Sequence, residues 1–262
     1  MTSASEKSPK RINDIILGPF ERRALPWMAR RLPAWVTPDH LTFLGQYSAV
    51  LIGVAYWLTM FSYNWLWVAN LGFVLNWVGD SLDGTLARVR KIERHRYGFF
   101  VDHYSDTVAV FFMCLGMGVS PIMDLRIALF LMVIYFAMMT LVYIVSLSRD
   151  VFKISFAGVG PTEIRIVIMI VNTVVYFTNN PRITIFGNSF TLFDWMGISA
   201  AVILFFVYII SAEIERRKLD KLDPPPNRRI DQEIQDGDGN GRKPASVIVP
   251  SVKEQPKSAQ KK

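Results

Sequence analysis

Six apolar blocks decide what this chain can fold into. They cover about 41–61, 65–79, 107–120, 125–147, 164–178 and 190–212 of its 262 residues. A helix crosses the hydrocarbon core of a bilayer in about 20 residues, with a range of about 17–25. The first, fourth and sixth blocks reach that length alone. In the other three, polar residues interrupt one end of a longer helix. Composition agrees, with 51% of residues hydrophobic and 19% charged, against about 25% charged in a soluble domain. The expected fold is an all-α polytopic membrane protein of six transmembrane helices. The formal charge of +7 does not alter this, and a soluble nucleic-acid binder is excluded. The single cysteine, Cys114, rules out a disulfide framework and any multi-cysteine metal centre.

Basic residues set topology. They gather in residues 1–40, between the second and third blocks, around Arg149, Lys153 and Arg165, and after residue 212; only Arg126 and Arg182 fall on the other side. An even number of spans with both termini cytoplasmic fits that division, and in a bacterium it places the chain in the inner membrane. Residues 1–10 read as a flexible start, and nothing in 1–40 has the pattern of a signal peptide. Residues 11–36 mix Ile, Leu, Phe and Trp with Arg pairs. That is the pattern of an amphipathic juxtamembrane helix lying in the interface, which Pro19 and Pro26 would kink or divide. A basic linker is the alternative. Residues 37–220 make the membrane domain. Residues 221–262, rich in Pro, Gly, Asp and Lys, cannot bury enough surface to fold and read as a disordered cytoplasmic tail.

The informative residues are those that do not belong in a bilayer. Asp80, Asp83, Asp102 and Asp106 abut apolar helix segments. A carboxylate at the bilayer centre costs at least ~2.5–3.5 kcal/mol on insertion scales. On a helix running from about 65 to 90, Asp80, Asp83, Ala87 and Arg88 fall near one face. On the next helix, which runs back, Asp102 and Asp106 are one turn apart. Antiparallel helices put both pairs at one depth. Four facing carboxylates repel unless something positive lies between them, and hard divalent cations, Mg²⁺ or Mn²⁺, suit oxygen ligands. Two such ions stabilise the attacking and leaving oxygens of phosphoryl transfer. Gly84 and Gly98 leave backbone open to a phosphate or nucleotide, and Arg88 offers a planar fork for phosphate oxygens.

The string Asp80-x2-Asp83-Gly84-x2-Ala87-Arg88-x9-Gly98-x3-Asp102-x3-Asp106 resembles the full signature of the CDP-alcohol phosphatidyltransferases. The resemblance covers about residues 11–220. It implies a divalent-metal-dependent transferase of phospholipid biosynthesis. Such an enzyme moves a phosphatidyl or substituted phosphoryl group from a CDP-linked lipid or CDP-alcohol to an alcohol acceptor, and releases CMP. By position it implies that Asp80 and Asp102 ligate both metals, Asp83 one, and Asp106 the other while acting as general base. Gly84 and Arg88 would contact the CDP moiety and Ala87 would leave room for it, with Gly98 beside it. Residues 37–45, TPDHLTFLG, resemble the family's segment at the start of its first helix, which places Thr42 near the CDP site. Asp39 stands where Asn is usual. Either residue caps a helix, and an acid is unwelcome beside a diphosphate, so Asp39 is assigned a structural role. Residues 158–166, GVGPTEIRI, resemble a segment of a subset of the family; Pro161, Thr162 and Glu163 suit a helix start.

Acceptor recognition is expected from Arg149, Lys153 and Arg165, whose other reading is anchoring at the membrane interface. Arg90, Lys91, Arg94 and Arg96 are expected on anionic headgroups, His103 in packing, and Trp65, Trp67, Trp77 and Trp195 in aromatic belts and packing. Membrane lipids are partners in any case, and homodimerisation is common in the family. The competing function is a membrane transporter of ions or metals using the aspartates as a pathway. Four acids at one depth and no internal repeat argue against it, and the intact motif argues against an inactive scaffold.

Overall fold

The computed structural model describes residues 17–149, 161–185 and 187–225, with only the backbone of Arg149. The chain divides into two units, Met1–Glu215 and Arg216–Lys262. Among the described residues the elements in order are α1 (Gly18–Arg31), α2 (Pro38–Leu58), α3 (Trp65–Arg90), α4 (His95–Gly118), α5 (Leu125–Arg149), α6 (Pro161–Thr178), β1 (Arg182–Ile185), β2 (Asn188–Thr191) and α7 (Leu192–Leu222). Of the second unit, the structure describes the end of α7 and the residues to 225. Among the described residues four helices, α2, α5, α6 and α7, are long and apolar enough to cross a membrane. The charged residues within α3 and α4 are the ones that interrupted the second and third apolar blocks.

Among the described residues the secondary structure is helical with one exception. Residues 182–185 and 188–191 pair as antiparallel strands with Ile185 opposite Asn188, where the sequence analysis starts the last apolar block at 190. Gly187 takes φ +78°, in the region that favours glycine. α7 starts after it on a reciprocal cap: Asp194 N donates to Thr191 Oγ1 (3.1 Å) and Thr191 N to Asp194 Oδ2 (2.8 Å). Buried Asp194 also accepts from Asp124 N (2.6 Å), tying the α4–α5 turn to the start of α7.

α1 has Pro19 in its first turn, where a missing N–H costs nothing. Of the two expected effects of Pro26, it does not divide the helix, which runs on to Arg31. Packing holds it together, since buried Ala29 with Leu25 and Met28 lies against Leu41, Leu82 and Leu86. At its end, where helix carbonyls lack partners, Arg90 from α3 donates to Leu32 O (3.2 Å), Pro33 O (2.9 Å) and Val36 O. Arg90 is therefore a clamp on the α1–α2 connection. Arg94 likewise pairs with Asp39. The cap of α2 is not Asp39 but Thr37, whose Oγ1 accepts from His40 N (3.3 Å) while His40 Nδ1 accepts from Thr37 N (3.2 Å).

α2 is the hub, packed on α3 and α4 through small residues. Gly45, Ala49 and Gly53 recur every fourth position and are buried, which lets backbones approach closely. A Cβ on Gly79 of α3 would stand 2.5 Å from Gly45 N, and one on Gly53 would stand 2.5 Å from Phe112 O of α4. At the end of the helices away from the aspartates, Tyr56 fills the core edge-on to Phe73 and Phe193. Its hydroxyl donates to Asn172 Oδ1 (2.9 Å), and Asn172 Nδ2 donates to Asn70 Oδ1 (2.7 Å). The chain α2–α6–α3 is thus hydrogen-bonded through a fully buried Asn172. Replacing Asn172 by Leu strands the Tyr56 hydroxyl and the Asn70 oxygen. It is expected to cost about 1–3 kcal/mol, read as a lower unfolding midpoint in detergent. Tyr56→Phe in the Asn172→Leu background should restore part of that loss.

Candidate functional site

The four motif aspartates come from two helices and meet at one cavity. Asp80 and Asp83 approach from α3, and Asp102 and Asp106 from α4. α2 supplies Thr42, Gly45 and Gln46 to the lining, and α6 supplies Arg165. The close approach at Gly79, one residue before Asp80, is what brings α3 down onto the first turns of α2. There Thr42 Oγ1 donates to Asp83 Oδ2 (2.8 Å), and the other oxygen of Asp83 accepts from Gly84 N. Asp83 is thus fixed at both oxygens. Asp80 is held from the opposite side by Arg165, Nη2 to Oδ2 at 2.8 Å, with side chains 13% and 26% exposed.

Three polar residues in this cavity were missed by the sequence reading. Gln46 Nε2 donates to Ser105 Oγ (2.9 Å), bridging α2 to α4 beside Asp106. Asn76 is 4% exposed, and its Nδ2 donates to Gly45 O (2.9 Å). Its Oδ1 is buried with no hydrogen-bond partner. The signal was present: Gln46 follows Thr42 by four residues and Asn76 precedes Asp80 by four, so each lies on the helix face that carries a known site residue. A polar side chain interrupting an apolar run on that face marks the cavity wall.

Other expected site residues lie elsewhere. Gly84, Ala87, Arg88 and Gly98 are not in the cavity lining. The Arg88 guanidinium folds back on its own helix, donating to Thr85 Oγ1 (3.0 Å). Gly98 has nothing within 4 Å of where a Cβ would be. Of the three acceptor candidates, Arg165 is engaged with Asp80, while the Arg149 side chain and Lys153 lie outside the described residues. His103 packs on Phe99 and Tyr143. Thr162 and Glu163 do more than start α6: they bond across to α1, through Glu21 and Leu17.

The cavity sets four carboxylates against one guanidinium. Like charges sharing one cavity repel, so the donor set suits a hard cation. The orphaned amide oxygen of Asn76 adds a neutral acceptor of the same kind. In kind, the residues fit a divalent ion. In spacing they stand open, since among the described residues no three acidic, histidine or cysteine side chains are grouped closely enough to hold one. Asp80 in particular is turned to Arg165.

The chain is 41% identical over 76 residues to a phosphatidylinositol phosphate synthase of Cutibacterium acnes (strain DSM 16379 / KPA171202). That stretch is 29% of this chain and 34% of the relative, so the likeness spans about a third of the relative's length. The broader match is to the CDP-alcohol phosphatidyltransferase family over residues 35–211. That range starts at the α1–α2 connection, contains every residue of the cavity and ends within α7. With the complete aspartate motif gathered at one cavity inside it, the chain belongs to the CDP-alcohol phosphatidyltransferase family.

Proposed function

We propose that this protein is a membrane enzyme of phospholipid biosynthesis that transfers a phosphatidyl or substituted phosphoryl group from a CDP-linked donor to an alcohol. The observation that carries this is the convergence of Asp80, Asp83, Asp102 and Asp106 on one cavity, with Thr42 and Arg165 as partners. The alcohol oxygen forms the new bond to phosphorus, the phosphoanhydride bond to CMP breaks, and the hydroxyl proton passes to Asp106 as general base. Asp80, Asp83, Asp102 and Asp106 would hold one or two Mg²⁺ or Mn²⁺ ions. When bound, such ions neutralise charge on the diphosphate and on the leaving group. Thr42 keeps Asp83 aimed, and Arg165 restrains Asp80 while the cavity is open. Gly84, Ala87, Arg88 and Gly98 lie along the same two helix segments, next to the cavity, as the surface for the nucleotide.

In this reading α3 and α4 cross the bilayer with the four more apolar helices, giving six spans, and α1 lies in the cytoplasmic interface with the site above it. Exposed Phe20 and Trp27 on α1, beside Arg22, Arg23, Arg30 and Arg31, support that placement. The exposed apolar faces of α5 and α7 meet lipid or a second copy. An ion transporter is the weaker reading, because the aspartates surround a single cavity rather than form a file through the helices.

The test is CMP release by the purified protein from CDP-diacylglycerol, CDP-choline and CDP-ethanolamine with Mg²⁺ or Mn²⁺. Candidate alcohols are supplied in turn, an inositol phosphate first because of the relative's name. Acceptor-dependent CMP release that stops on chelation is expected. Metal flux in proteoliposomes without CMP release would instead favour transport.

A further inference from the structure

Glu21 is on α1, outside the cavity, yet it is bonded to both helices whose side chains meet at the Arg165–Asp80 pair. Its Oε1 accepts from Thr162 Oγ1 of α6 (2.6 Å) and from Trp77 Nε1 of α3 (3.2 Å). A second bond runs the other way: Glu163 Oε1 accepts from Leu17 N (2.9 Å), immediately before α1. Helix starts leave N–H groups without partners, so the start of α1 takes its acceptor from α6. Thr162 and Glu163 lie in the first turn of α6, three and two residues before Arg165. Trp77 lies three residues before Asp80 on α3. One carboxylate oxygen thus ties together the two backbone segments that present Arg165 and Asp80, which are themselves 2.8 Å apart.

The first turn of a helix is its least constrained part, because its N–H groups have no intrahelical acceptor. A displaced first turn of α6 carries Arg165 with it. Arg165 is the one cation lining the aspartate cavity among the described residues, and its position determines how Asp80 is oriented. A hydrogen bond to a carboxylate is roughly twice as strong as a neutral one, which suits Glu21 to holding that turn.

We infer that Glu21 is a positioning residue for this site: through Thr162 and Trp77 it sets the first turn of α6 against α3, and so the grip of Arg165 on Asp80. The inference rests on the transferase reading above for its kinetic readout, and on hydrogen exchange for its structural one.

The experiment uses the full-length protein in detergent, with rates expressed per folded enzyme. Glu21→Ala and Thr162→Val are each expected to lower kcat/KM for CMP release about ten-fold. Glu21→Gln keeps an oxygen that accepts from both donors, and is expected to stay within about two-fold of the parent. The double variant Glu21→Ala/Thr162→Val should be no worse than Glu21→Ala alone, since Glu21→Ala already breaks the Thr162 bond. Backbone amides of Arg165 and Ile166, the first with acceptors inside α6, should exchange faster in Glu21→Ala and not in Glu21→Gln. If Glu21→Ala does not fold, the near-isosteric Thr162→Val carries the same test. A role in folding alone would reduce the folded fraction and leave its kcat/KM unchanged, and that result overturns the inference. So does Glu21→Gln behaving like Glu21→Ala. Absence of CMP release from the parent protein overturns the transferase reading, and with it the kinetic claim. The exchange data then decide separately whether Glu21 holds α6, and unchanged exchange at Arg165 and Ile166 overturns that hold.

Discussion

Replacing Asp106 with Asn is expected to lower CMP release at least 100-fold while the protein still folds. Asn has the size and planarity of Asp and retains an acceptor oxygen, but it cannot take a proton. General bases contribute about 10²–10⁴-fold to a rate, so the loss separates a base from a bystander. The environment makes the substitution mild for the fold. Asp106 faces Asp80, Asp83 and Asp102 across one cavity, and removing one of four like charges relieves repulsion. The unfolding midpoint should therefore hold or rise while turnover collapses. Asp83→Asn makes the comparison: its one oxygen can accept from Thr42 or from Gly84 N but not from both, so its expected defect is some loss of stability with a raised metal requirement that added Mn²⁺ partly repairs. Added metal should not repair Asp106→Asn. Full turnover in Asp106→Asn would move the base elsewhere.

Those expectations lean on residues that were legible in the sequence for a simple reason. Helix periodicity is local, and the aspartates' spacing of three or four residues puts each pair on one face whatever the rest of the chain does. The apolar blocks were legible on the same ground, whereas the packing of α3 and α4 each onto α2, rather than onto one another along their lengths, was not. Also not legible is which distant residue answers each polar group. Arg90 looks like any interfacial arginine until the α1–α2 connection presents the carbonyls of Leu32, Pro33, Ala34 and Val36 to it. Glu163 looks like a charge at the start of its own helix and instead serves the start of another. Asp39 looked like the cap of α2, but Thr37, two residues earlier, has its hydroxyl on His40 N and leaves Asp39 to Arg94. The paired strands 182–185 and 188–191 escaped because four-residue strands carry too few positions to show a two-residue period.

Gly79→Ala is expected to cost about 3 kcal/mol or more and to abolish activity with it. The added carbon would stand 2.5 Å from Gly45 N and 2.6 Å from Leu41 O. Both are backbone atoms within a helix, so no side chain can swing aside, and α3 must move off α2. Overpacking of a tight core costs about 1–3 kcal/mol when side chains can adjust, and more when they cannot. The displacement falls where the site is built. Asp80 is the next residue, and Asp83, one turn on, depends on Thr42 of α2. Loss of activity should therefore exceed what the fall in stability explains: at a temperature where the variant remains folded, CMP release should still be lost. Gly98→Ala calibrates the result. Nothing lies within 4 Å of that position, and Ala in place of Gly within a helix favours the helix by about 1 kcal/mol. Its midpoint should not fall, and a rise in KM for the CDP-linked donor would mark Gly98 as the place where a nucleotide, rather than another helix, comes close. Equal midpoints for Gly79→Ala and the parent would show that α2 and α3 do not meet as closely as their glycines imply.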